Sequence, residues 1–155
     1  MSFFKRSAAA CAALAVLALP VSAQAGSHED AEALRKLDIM LMVTSLRCRT
    51  TADNFQADYQ RFSSNNLTVL NTAARALQAG LVKKAGAAGA KKALDKVSVG
   101  MANEYGRGHP WLGCGELKRI TRDLATSKNA AQLALAADEL LSSRPRGQWA
   151  MAGTR

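Results

Sequence analysis

Hydrophobic residues recur every three or four positions over most of the chain, which is the period of an α-helix. The first series passes through Leu34, Leu37, Leu41, Thr44 and Cys48. Apolar residues also fill most of the intervening positions from 39 to 46, so this helix is apolar on nearly every side. Acids at 29–32 precede it and arginines at 47 and 49 close it, an order that suits the helix dipole. We therefore predict that it is the central, most buried helix.

A second helical series covers 55–77, and Asp53 is the expected N-cap. Short polar side chains at 63–66 predict an interruption, because such side chains compete for backbone hydrogen bonds. Gly80 is expected to end the helix, and the glycines at 86 and 89 to form a loose connection.

Three shorter apolar series predict helices over 94–105, 117–124 and 133–141, separated by glycine, proline and short polar residues. Strand patterns are nearly absent. The fold class predicted is therefore all-α, a four- to five-helix bundle tied by one disulfide. The helical domain is expected to cover 26–147, followed by a mobile C-terminal tail at 148–155.

The segment 1–25 has the order of a secretory signal peptide. Lys5 and Arg6 precede an uncharged stretch at 7–19, Pro20 ends it, and small residues at 23 and 25 suit cleavage after Ala25. The apolar stretch is shorter than the roughly 20 residues that a bilayer span requires. We expect a periplasmic or secreted protein with no transmembrane segment after signal removal.

Cleavage after Ala25 would remove Cys11 and leave only Cys48 and Cys114. An even cysteine count in an oxidising compartment predicts a disulfide. The bond would close a long loop that contains positions 49–113. A loop of that length implies about 4 kcal/mol of stabilisation in the chain-entropy description. The bond would join the end of the first helix to the start of the helix at 117–124.

Charge is distributed unevenly along the chain. The whole sequence has 21 basic and 12 acidic residues, a net charge of +9, and loss of Lys5 and Arg6 leaves +7. Residues 26–58 have four basic and six acidic groups, whereas 59–155 have fifteen and six, a net charge of +9. This excess favours an anionic envelope component or an acidic ligand as partner. The alternative is a charged surface that only keeps the protein soluble.

Sequence motifs of the common enzyme classes are missing. There is no glycine-rich phosphate loop, dinucleotide fingerprint, paired-histidine metal helix, CxxC or serine elbow. We therefore expect no bound cofactor and favour a non-enzymatic protein, and nucleic acid is not the expected partner.

The best candidate site is the link at 109–115, which the disulfide would bring close to Arg47 and Arg49. Arginines bind phosphate or carboxylate with paired hydrogen bonds, and an indole offers a flat apolar wall. The predicted binding set is Arg47, Arg49, Tyr105, Arg107, His109 and Trp111.

Two further interpretations of the link remain open. It favours either a small periplasmic hydrolase or lyase, with His109 as acid or base, or a purely structural corner. In the structural case Trp111 fills the core, His109 caps a helix end and Glu116 pairs with the arginines.

A separate metal hypothesis concerns the expected mature N-terminus, Gly26-Ser27-His28. A free amine, two backbone amides and the imidazole of His28 form a four-nitrogen set that suits copper(II) or nickel(II). The hypothesis depends on cleavage after Ala25.

Two segments resemble a group of small exported alphaproteobacterial proteins that have the same two cysteines. They are LDIMLMVTSLRCR at 37–49 with Asp-Asn-Phe at 53–55, and the run from Met-Ala-Asn at 101–103 to Gly-His-Pro-Trp-Leu at 108–112 before Cys114. The resemblance covers most of 31–145 and implies the same export and cysteine pairing. Members are sometimes labelled S-adenosyl-L-homocysteine hydrolase. No motif of that NAD-dependent enzyme is present here onto which a catalytic role can be transferred.

Overall fold

The structure is a computed structural model that describes residues 28–142, and within them it is all α-helical, as predicted. The expected signal peptide and C-terminal tail lie outside the described residues. A short 3-10 turn at Cys48–Thr50 follows the first helix. The helices are α1 (His28–Arg47), α2 (Gln56–Asn65), α3 (Leu67–Tyr105), α4 (Cys114–Thr126) and α5 (Ala130–Leu140).

Helix α1 is the centre of the bundle, because it contacts each of the other four helices. Leu37, Met40 and Leu41 on this helix have no exposed surface. Its burial is less complete than its composition predicts, since Met42 and Leu46 are 38% and 45% exposed. These two residues are four apart and therefore share a face that helices α2–α5 leave partly exposed. No helix between residues 28 and 142 is long and apolar enough to cross a membrane.

Helix α3 corrects the prediction that Gly80 ends a helix. Gly80 keeps a negative φ, and a Cβ there would collide with the imidazole of His28, so the glycine permits a close helix contact. The break occurs instead at Gly86, where φ is 69° and ψ is 174°. Glycine tolerates this left-handed φ because it has no side chain. The expected loose connection is thus one non-helical residue inside a 39-residue helix.

Both sides of the Gly86 break lie against α1. Gly80 packs on His28 before the break, and after it the Ser98 hydroxyl accepts a 3.5 Å hydrogen bond from Arg35. Beyond the end of α3, Gly108 lies beside Arg47. The second part of α3 therefore follows α1 in the same direction along the chain.

The expected N-cap at Asp53 is wrong. Helix α2 begins at Gln56, whose backbone N–H donates to the side-chain oxygen of Asn54 at 3.0 Å. The Asp53 carboxylate instead lies at the first turn of α4, where a Cβ added to Gly115 would be 3.2 Å from it. A carboxylate is stabilised there by the positive end of the helix dipole.

The interruption predicted at 63–66 is present, since α2 ends at Asn65 and α3 starts at Leu67. The side-chain amide of Asn65 donates to the carbonyl of Ala125 at 2.9 Å. The buried amide of Asn66 donates to the carbonyl of Leu124 at 3.3 Å. Both carbonyls belong to the last turn of α4, where a helix has few donors of its own, and the Leu124 carbonyl also accepts from the backbone N–H of Ser127 at 3.2 Å. The two asparagines therefore lie at the end of α2 and also donate hydrogen bonds to carbonyls at the end of α4.

The predicted Cys48–Cys114 disulfide is present and joins the end of α1 to the first residue of α4, with Cα atoms 5.8 Å apart. Cys48 is buried in the hydrophobic core, beside the residues that α1, α3 and α4 contribute. The bond places the link between α3 and α4 against the end of the central helix.

Candidate functional site

We call the region around the bond the disulfide corner, defined by the link at 106–113, Cys48, Cys114 and the end of α1. Gly108 has a φ of 115°, and a Cβ there would lie 3.2 Å from Nε of Arg47. The backbone turn and the close approach both require glycine. As predicted, the corner thus brings Arg47 beside the link, although the whole of α2 and α3 separates the two in the chain.

His109 lies between two aromatic rings at this corner. Its ring centroid is 5.4 Å from that of Tyr105 and 4.8 Å from that of Trp111, the latter in an edge-to-face arrangement. Its Nε2 lies 2.8 Å from the carbonyl oxygen of Leu140. A carbonyl only accepts hydrogen bonds, so Nε2 carries the proton and Nδ1 is the acceptor. Nδ1 faces the backbone N–H of Trp111 at 3.4 Å, and both ring nitrogens therefore have partners.

Trp111 makes a parallel contact with the same segment. Its indole N–H donates to the carbonyl of Ser142 at 3.1 Å. His109 and Trp111 together hold two carbonyl groups at the end of α5, where the helix itself supplies no donors. These contacts give both side chains a structural role. Whether they also bind a ligand stays a prediction.

The three arginines predicted at this site, Arg47, Arg49 and Arg107, are exposed. None of the ion pairs among residues 28–142 includes them. Glu116, the partner expected in the structural interpretation, accepts a 2.8 Å hydrogen bond from the backbone N–H of Gly113 and so caps α4. Arg49 contributes its backbone carbonyl to Asn54.

A groove of about 600 Å³ opens beside the disulfide, on the side of the corner that faces α4. Asp53 and Glu116 line it together with Lys118, Arg119 and Arg122. None of the predicted binding residues lines this groove. A second groove, of about 610 Å³, lies between α1 and α5 and has Glu29, Glu32, Lys36 and Asp138 among its lining residues. His109 lines neither groove.

Burial lowers the pKa of His109 below its ordinary value of 6.5, and the contact with Leu140 and the charge of Glu116 oppose this shift. The folded protein therefore takes up a proton at His109 less readily than the unfolded chain, and stability falls as the pH drops through about 6.5. We expect His109→Gln to lose this part of the pH dependence, because glutamine stays neutral and has an amide that can donate to Leu140.

The measurement is the free energy of unfolding by denaturant from about pH 7.5 to about pH 5.5, the range in which histidine titrates. Leu135→Ala, which removes an exposed side chain and no titratable group, is the control and should keep the shape of the parent profile. Identical pH profiles for the parent and His109→Gln would contradict the prediction.

The proposed copper or nickel site cannot be assembled from described residues alone, since Gly26 and Ser27 lie outside them. His28 is the first described residue, and its imidazole packs against Gly80 with Nε2 buried and without a hydrogen-bond partner. No group of three or more metal-ligating side chains occurs within 28–142. The metal hypothesis stays a prediction.

The sequence analysis missed a partly buried polar cluster that joins three helices. The Tyr59 hydroxyl donates to Asp38 at 3.0 Å, and Arg35 lies 3.4 Å from the same carboxylate while it also reaches Ser98. Burial raises the pKa of Asp38, and the hydrogen bond from Tyr59 and the charge of Arg35 oppose this shift. The feature of the sequence that could have indicated this cluster was Asp38, a single acid at the start of the most apolar part of α1. The cluster fixes α1 against α2 and α3.

A second missed feature is a concentration of lysines around the Gly86 break, which we call the lysine segment, residues 82–96. It has five lysines and one acid, Asp95, a net charge of +4. All five lysine side chains are exposed, and none belongs to an ion pair among the described residues. The lysines are Lys83, Lys84, Lys91, Lys92 and Lys96. The available signal was the repeated Lys-Lys pair on either side of two glycines.

Comparisons with protein-family models, curated proteins and solved structures gave no match. The resemblance to exported two-cysteine proteins, and the location that it implies, therefore stay predictions.

Proposed function

We propose that the protein is a non-enzymatic binding protein of the cell envelope that meets an anionic partner through the lysine segment. The observation that carries the proposal is the group of five exposed lysines without ion pairs, at a break in the longest helix. Some cations elsewhere in the bundle are neutralised, since Lys36 pairs with Glu32 and Arg122 pairs with Asp58. The other exposed cations among residues 28–142 that also lack ion pairs are not as closely spaced in the chain as those of the lysine segment. Positive charge that is concentrated in one exposed segment and lacks ion-pair partners attracts polyanions.

The state of His109 supports binding over catalysis. A general acid or base needs a ring nitrogen that can reach a substrate. Both nitrogens of His109 already have backbone partners, and the ring lines neither groove. A hydrolase or lyase at this position would have to break the contact that holds the end of α5.

The test is retention on phosphocellulose, a polymer with fixed phosphate groups. We expect the parent to bind at low salt and to elute early as salt rises, because the Debye length falls from about 10 Å at 0.1 M to about 3 Å at 1 M. The quadruple change of Lys83, Lys84, Lys91 and Lys92 to Gln should abolish most of the retention. Exposed substitutions of this kind usually change stability by less than about 0.5 kcal/mol each.

A charge-matched control removes four positive charges elsewhere, by changing Arg75, Lys118, Arg119 and Lys128 to Gln. None of these four residues belongs to an ion pair among residues 28–142. The control should keep most of the retention. Equal losses in the two variants would mean that net charge alone acts and would refute a dedicated surface. Loss on changing Arg47, Arg49 and Arg107 instead would place binding at the disulfide corner.

A further inference from the structure

The first half of the lysine segment, residues 82–88, projects from the bundle, whereas the second half is anchored by Ala90, which is 1% exposed. All seven residues from 82 to 88 are exposed, which is about two helical turns. A helix that packs against a neighbour buries at least one residue in every two turns, so no part of the bundle formed by residues 28–142 covers this stretch. No residue of the segment lines either of the two grooves. A partner must therefore contact a projecting surface and not enter a cavity.

The chemistry of the projecting surface favours a plane of many charges over a single bound anion. All five cations of the segment are lysines. Arginine binds one phosphate with a fixed fork of donors, whereas lysine is a mobile point charge that needs no defined geometry. Lysine stems can also lie along an apolar surface while the ammonium group stays in water.

Small apolar residues lie between the two lysine pairs. Ala85, Ala87 and Ala88 are exposed, and no acid occurs from 82 to 94. Val82, the first residue of the segment, is 40% exposed, and Val99, three residues beyond its end, is 58% exposed. Lysines beside exposed apolar side chains are the pattern of elements that lie at a membrane interface.

We infer that the lysine segment docks on the surface of a phospholipid bilayer that carries anionic headgroups, an inference that rests on the proposed function and names its partner. The ammonium groups contact headgroup phosphates, and Val82 and the alanines lie at the boundary of the acyl chains. The contact is peripheral and reversible, because the apolar surface offered is small.

The experiment measures co-sedimentation of the oxidised protein with vesicles. Equal parts of phosphatidylglycerol and phosphatidylcholine form the anionic vesicles, and phosphatidylcholine alone forms the neutral ones. We expect binding to the anionic vesicles only, and loss of it at high salt. Each lysine near an anionic surface contributes a factor of about five, so the quadruple Lys→Gln variant should bind at least about 100-fold more weakly. The charge-matched control should bind within a few-fold of the parent.

A second variant separates a membrane from any other polyanion. Val82→Gln with Val99→Gln keeps every charge, so its retention on phosphocellulose should equal that of the parent. Its binding to anionic vesicles should fall several-fold, because the apolar contact is lost. Parent protein that is retained on phosphocellulose but ignores anionic vesicles would overturn this inference and leave the proposed function standing. Parent protein that binds neither phosphocellulose nor anionic vesicles would refute the proposed function and the membrane inference together. Unchanged vesicle binding by the valine variant would overturn the membrane assignment and reduce the partner to a polyanion in general.

Discussion

Replacing both Cys48 and Cys114 by Ala should lower the free energy of unfolding by about 2–5 kcal/mol, the usual loss for a native disulfide in a small secreted domain. The bond closes a loop that contains α2 and α3, with a sequence separation of 66. Without it the unfolded chain gains conformations that the bond forbids. A domain of this size has only about 5–15 kcal/mol of stability in total, so the loss is a large fraction.

Denaturant unfolding of the double variant, compared with the oxidised parent, measures this effect. Changing both cysteines avoids a free thiol, which would otherwise complicate the comparison. The parent unfolded in the presence of a reductant is the matched control and should show a similar loss. A difference below about 1 kcal/mol in both experiments would mean that packing alone sets the stability of the corner.

Phe62→Ala should cost about 3–5 kcal/mol, the range for removing a buried aromatic side chain. Phe62 has no exposed surface and belongs to the hydrophobic core, where α2 packs against α4. Its ring centroid lies 6.5 Å from that of Tyr59, which is hydrogen-bonded to Asp38. The cavity left by the phenyl group would therefore lie beside the polar cluster, where collapse is costly.

Thermal and denaturant unfolding give the stability change, and Leu135→Ala is the control. Leu135 is 73% exposed on α5, so its truncation should change stability by no more than about 0.5 kcal/mol. Comparable effects for the two substitutions would contradict the packing described for α2 and α4.

The sequence was sufficient to predict those helices and turns that are indicated by residues close together in the chain. Apolar spacing placed the central helix and the last two helices, and polar residues at 127–129 located the turn between α4 and α5. The cysteine pair could be predicted because, once export is assumed, only two cysteines remain. Each of these inferences needs only neighbours in the chain or a count, and none depends on tertiary contacts.

Tertiary contacts explain the errors. Gly80 has the same local signal as a helix end, but its close contact with His28 comes from packing of α3 on α1. Aspartate is a residue type that often caps helices, yet the carboxylate of Asp53 lies at the start of α4. Helices α2 and α3 separate Asp53 from α4 in the chain, so this contact could not be predicted from neighbouring residues. The structural interpretation of the link included His109 at a helix end, but it did not identify that helix as α5, because the contact of the ring with the distant Leu140 follows from the packed bundle.

The candidate site shows the same division. The sequence led to Arg47 beside the link, because a disulfide is a distance constraint that follows from the cysteine pairing alone. The basic excess of 59–155 was evident as a total, but the lysines at 83–96 became a candidate binding segment only when their exposure and lack of ion pairs were known.

The disulfide and the lysine segment lie toward opposite ends of α1. Cys48 follows the last residue of α1, whereas the lysine segment lies between the contacts of α3 with His28 and with Arg35. A helix of 20 residues is about 30 Å long. One end of the bundle is therefore cross-linked by the disulfide, and the other end contains the lysine segment. Substitutions that change the surface charge at one end do not affect the disulfide at the other end. The binding partner can therefore change during evolution without a loss of stability.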